Sequence, residues 1–99
     1  MLMGRDGEGA GLLRSQHLQA HLAWVSTVMP RVRVAGPLCD ATGQPCMSLY
    51  VIEADDELAA RRFIHQDPYF RAGVWREVQV LPFTAAAGTW VGGATWLEH

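Results

Sequence analysis

Apolar residues between Leu12 and Met29 recur at helical spacing, with Leu18, Leu22, Val25 and Met29 at intervals of four, three and four. That period gathers them into one stripe and predicts a helix with the stripe against a core. Pro30 stops it. From Arg31 to Ala35 the period changes to two, with Val32 and Val34 on one face of a strand that Gly36-Pro37 should break. Asp40 to Pro45, with Gly43, reads as a turn. Ser48-Leu49-Tyr50-Val51-Ile52 is rich in β-formers and reads as a central strand. Asp55 is the expected N-cap of a second helix, with Asp56 and Glu57 in its first turn and its end near Gln66. Ala59, Ala60, Phe63 and Ile64 form its inward side, and Pro68 ends it. Val74 to Phe83 alternates around Val78 and Val80 as a fourth strand, and Thr89-Trp90-Val91 reads as a short terminal strand. Met1-Leu2-Met3 is a brief apolar start, and Gly4 to Gly11 reads as a glycine-rich connection to the first helix.

The order strand, helix, strand, strand, helix, strand predicts an α+β fold of the ferredoxin-like βαββαβ kind. Right-handed crossovers then give an antiparallel four-stranded sheet with both helices on one face. The other sheet face needs cover, and a second copy of the chain is the simplest, so a homodimer is expected. Tyr50 and Ile52, or their alternates, should form that face.

Ninety-nine residues suit one domain. Residues 1–96 are assigned to it, and Leu97-Glu98-His99 reads as a vector-derived tag remnant. The net charge is −2 and all eight basic residues are arginine, scattered among acidic ones. No basic footprint for nucleic acid results. No long apolar run predicts a membrane span. Cys39 and Cys46 are not in a CxxC pair, which argues against structural zinc, and two cysteines fit free thiols in a reducing cytoplasm. The glycine-rich stretch lacks both the P-loop ending and GxGxxG spacing.

Several short segments together carry a family resemblance: Ala20-His21-Leu22, Val34-Ala35-Gly36-Pro37-Leu38, Ser48-Leu49, Asp67-Pro68-Tyr69, Ala72-Gly73-Val74, and Val78 to Phe83 with Pro82. In order and spacing, from Met1 to Val91, the chain resembles the YCII-related family. The resemblance implies a dimeric α+β barrel similar to that of muconolactone isomerases, with a histidine and an aspartate in a pocket beside the sheet. One lineage of the family is linked to removal of chloride from a chlorinated aromatic diol. The family often carries arginine three residues before the helix histidine; here that position is Leu18, for which His17 is the nearest substitute.

His21 lies about 70° from the centre of the Leu18/Leu22/Val25/Met29 stripe, at the edge of the expected core face. An imidazole there can be half buried and act as acid or base; its bland alternative is a boundary histidine on a backbone carbonyl. Asp67, fixed in extended geometry before Pro68, is the expected partner, or else a turn residue bonding its own backbone. Asp40 is the alternative carboxylate. Ser48, His17 and Tyr69 complete the candidate ligand-binding set, with Ser48 as a hydrogen-bond donor. His17 and His21 share a helix face, but no third ligand is evident, so no metal is expected. The expectation is a cofactor-independent enzyme with a His21/Asp67 acid–base pair, of lyase or isomerase type, acting on a small cyclic or aromatic molecule. The alternative is a non-catalytic module that holds a small ligand. A histidine bonded to a carboxylate in a pocket favours the first; one packed on a carbonyl without a cavity favours the second.

Overall fold

The computed structural model describes residues 1–94; the expected tag remnant at 97–99 lies outside them. The main elements are β1 (Leu2–Asp6), α1 (Ala10–Val28), β2 (Val32–Cys39), β3 (Pro45–Ile52), α2 (Glu57–Ile64), α3 (Pro68–Ala72) and β4 (Trp75–Val80). A small hairpin, β5 (Ala87–Gly88) and β6 (Gly93–Ala94), follows. The main sheet has the order β2-β3-β1-β4, and every neighbouring pair is antiparallel. This is the expected four-stranded α+β arrangement.

The first strand is longer than the sequence pattern suggests, since β1 continues through Gly4, Arg5 and Asp6. Gly4 belongs in the sheet because Trp75 lies over it: a Cβ at Gly4 would stand 2.6 Å from the indole ring. A register shift opposite Arg5/Asp6, where Glu77 and then Trp75 pair with consecutive β1 residues, allows this. The extra residue turns Trp75 to the same face as Val78 and Val80. The second strand also runs on, through Gly36-Pro37 to Cys39. β2 is an edge strand, where a proline's missing N–H costs no ladder bond.

The second helix is capped by Asp56, one residue after the expected Asp55, through Ala59 N at 2.8 Å. Pro68 does more than end it: Pro68 starts α3, Asp67 is that helix's N-cap, and Gly73 closes it at φ 80°. Thr89–Val91 forms a 3-10 turn inside the hairpin, not a strand. Cys39 and Cys46 are free thiols.

The core is built from Leu2, Tyr50, Phe63, Ile64, Tyr69, Val74 and Trp75, with Leu13, Trp24 and Val28 of α1 packed against it. The expected core stripe of α1 is therefore wrong by roughly 100° of helix rotation. Leu18, Leu22 and Met29 are exposed. The buried face of α1 is chosen by Trp24, whose ring packs 5.0 Å from that of Phe63, and by polar anchors that apolar periodicity does not register. The sheet alternates accordingly: Leu2, Ser48 and Tyr50 are buried, while Met3, Met47, Leu49 and Val51 on the other face are half buried. Tyr50 thus faces the helices, and its alternates form the open face.

Candidate functional site

Asp67 is 0% exposed and accepts three hydrogen bonds. Tyr69 N donates to Oδ1 at 2.8 Å, which is the α3 cap. His21 Nδ1 meets the same oxygen at 2.8 Å. Tyr50 Oη donates to Oδ2 at 2.7 Å. The two sequence alternatives for Asp67, turn residue or histidine partner, are both realised in one carboxylate. Its side chain points into the core, not outward as the proline alone suggests. A carboxylate only accepts, so Nδ1 is the donor, and in the neutral imidazole the lone pair is on Nε2. Tyr69 stacks on the imidazole at 3.8 Å and 3°. The ring is thus held in plane by Asp67 and across its face by Tyr69. Among the described residues no buried side-chain N or O lacks a partner, and Nε2 has none, so Nε2 is reachable from outside.

His21 borders a cleft of about 470 Å³ between α1 and the β2–β3 side of the sheet. Leu18, Leu22 and Val25 form one wall, and Pro37, Ser48 and Tyr69 contribute elsewhere. The leucine stripe of α1 therefore lines a cavity. The volume falls within the range of small-molecule sites.

Ser48 is buried at the cleft and accepts from Arg14 Nη2 at 3.0 Å and Trp75 Nε1 at 3.2 Å. Arg14 also grips Asp6 with two bonds, Nε at 2.9 Å and Nη2 at 2.7 Å. Burial works against the guanidinium charge, but the bonds and field of Asp6 outweigh it and hold its pKa above the ordinary value. For Tyr50, burial first, and then the Asp67 carboxylate, push the phenol well above its usual range. Burial also raises Tyr69, with Asp67 adding to the rise and Arg14 opposing it.

The other sequence candidates fall elsewhere. Asp40 is exposed in the β2–β3 turn, where Thr42 and the amide of Gln44 occupy its carboxylate. Those bonds, the Thr42 hydroxyl first, hold its pKa below the usual value. His17 is half buried on α1 but does not border the cleft. The cation there is Arg14, which sequence reading missed together with Asp6 and the Tyr50 hydroxyl. Arg14 was findable: seven residues before His21 is two turns, about 20° apart on the helix face. Among the described residues no three His, Cys, Asp or Glu side chains converge as a metal site. No helix there is long and apolar enough to cross a membrane.

The family model for the YCII-related domain matches residues 1–84. No match is found among curated protein sequences. Among solved structures, the chain is similar to 5-chloro-2-hydroxyhydroquinone dehydrochlorinase from Burkholderia phenoliruptrix AC1100, in its complex with 2,5-dihydroxybenzoquinone. The identity is 24% and the TM-score 0.74, over 90% of this chain and 97% of that one. At that identity the likeness is one of fold.

Proposed function

The chain belongs to the YCII-related family, and from that premise we propose that it is an enzyme that moves protons on a small cyclic or aromatic molecule through His21. The observation that carries this reading is the 2.8 Å contact between His21 Nδ1 and the buried Asp67 carboxylate at the edge of a cleft. Nε2 takes a proton from the bound molecule, and the carboxylate balances the imidazolium that forms. Return of the proton to another atom gives isomerisation; loss of an adjacent leaving group gives elimination. Tyr69 and Asp67 keep the ring in one orientation throughout, so little reorganisation accompanies transfer. The apolar wall of Leu18, Leu22 and Val25 suits a flat, largely apolar ring. The similar dehydrochlorinase is in complex with a flat oxygenated ring, 2,5-dihydroxybenzoquinone, which supports a cyclic ligand. Against a ligand-holding module without turnover, this reading is favoured by an imidazole bonded to a carboxylate at the cleft edge and not packed on a carbonyl.

Two measurements test this. Nitrogen-15 NMR of the imidazole should find the proton on Nδ1 in the neutral form, and Asp67→Asn should redistribute it between the two nitrogens. Against a panel of cyclic hydroxy compounds and their chlorinated forms, His21→Gln should slow proton exchange or chloride release ~10²–10⁴-fold. A proton on Nε2, or a panel that wild type and His21→Gln treat alike, goes against the reading.

A further inference from the structure

Two donors border the same cleft without taking part in the His21–Asp67 pair. Ser48 is 7% exposed, and its Oγ accepts from Arg14 Nη2 and Trp75 Nε1. A hydroxyl has two lone pairs and one proton. Both lone pairs are engaged, so Ser48 is left as a donor whose proton has no acceptor among the described residues. Arg14 spends Nε and Nη2 on Asp6 and Ser48. Its Nη1 has no partner among the described residues and, since no buried polar atom there is left unpaired, it is reachable from outside. The Tyr69 ring ties these donors to the histidine: it lies 3.8 Å from the His21 ring and 5.5 Å from Arg14 Cζ. All four side chains line one cavity.

We propose that Arg14 and Ser48 form an oxyanion subsite, and that the cleft selects small rings bearing an ionised or ionisable oxygen, a phenolate or an enolate. The inference deepens the acid–base reading: it supplies the place where negative charge rests when His21 takes a proton. Asp6 offsets much of the Arg14 charge, and Asp67 lies beyond His21. The subsite therefore works through directed donors more than through net positive charge. It fits one oxygen carrying a single charge and disfavours a doubly charged phosphate.

The probe is 4-nitrophenol, whose anion is yellow and whose neutral form is not, beside 4-nitroanisole, which cannot ionise. Just below the probe's own ionisation pH, wild-type protein should enrich the yellow anion. Ser48→Ala and Arg14→Gln should each weaken binding of the anion by roughly 10-fold and leave 4-nitroanisole unchanged. Circular dichroism checks the fold of Arg14→Gln, and Ser48→Ala, which deletes one hydroxyl, carries the test if that variant unfolds. No enrichment on wild type, equal losses for both probes, or displacement of the anion by inorganic phosphate would overturn the subsite. His21→Gln separates the two readings. Enrichment that survives it supports the subsite whatever the fate of the acid–base pair. Enrichment lost in His21→Gln but intact in Ser48→Ala and Arg14→Gln overturns the subsite and leaves the acid–base pair standing.

Discussion

Tyr50 and Tyr69 are the chain's two tyrosines, and both hydroxyls are bound into the site. Tyr50 supplies Asp67 with a donor at 2.7 Å, and Tyr69 reaches the Arg14 carbonyl at 3.3 Å. Both phenols are pushed upward, Tyr50 the more strongly. An unfolded tyrosine ionises near pH 10. Stability from these two groups is therefore fully present below about pH 10 and lost as the pH rises above it, because the unfolded chain releases protons that the folded one keeps. In the native protein, tyrosine absorbance should stay flat through pH 10 and then rise together with loss of circular dichroism. A rise near pH 10 with native dichroism would contradict this. Tyr50→Phe should cost about 1–3 kcal/mol at pH 7 in denaturant titration, by removing a donor from a buried carboxylate, and make the alkaline fall shallower. At this scale the sequence was legible where a local constraint acted. His21 was singled out by the family resemblance and by a helix angle taken from a stripe that lines the cleft instead of the core, and Asp67 by its place before Pro68. Tyr50 was not, because the partner that gives its hydroxyl a role is 17 residues away. Arg14 was readable as a neighbour of His21 on the helix face, but its partners Asp6 and Ser48, both on strands, were not.

Elements were legible in kind and less so in extent. β1 and β2 both run past the glycines and proline that punctuate them, since tertiary neighbours override local signals. Gly4 is the sharpest instance. Its hydrogen is what lets Trp75 lie on β1 and donate to Ser48. Gly4→Ala should cost about 1–3 kcal/mol by overpacking, read as a lower midpoint in chemical denaturation. It should also change the indole fluorescence as Trp75 moves. An unaltered midpoint would mean that the ring has room to shift. The α1 stripe was misread for a related reason. Periodicity reports which residues avoid water, and it cannot tell a core from a cleft. Leu18, Leu22 and Val25 share a stripe because they share a wall of the cavity.

On the scale of the molecule, helices cover one side of the sheet and leave the far side open. Met3, Met47, Leu49 and Val51 lie there half buried, next to the Arg5–Glu77 pair at 3.9 Å. The expected solution state is a homodimer joined through that face, with light scattering at micromolar concentration returning about twice the chain mass. Leu49→Arg, which sets a cation among apolar neighbours, should shift the reading to monomer, and a wild-type monomer would refute the arrangement. The antiparallel four-stranded sheet was expected from the order of elements, whereas the strand order β2-β3-β1-β4 is read from the structure. Which set of β3 side chains faced outward did not follow from that order, because alternation fixes two faces without naming the inner one. The Asp67 carboxylate caps α3 and orients His21 at once. Asparagine at this position keeps a serviceable cap and a side chain of the same shape while withdrawing the charge. On the proposed acid–base reading, a single substitution after gene duplication retires the chemistry of one copy and keeps the helix cap, so a lineage can pass from catalyst to ligand carrier without losing α3.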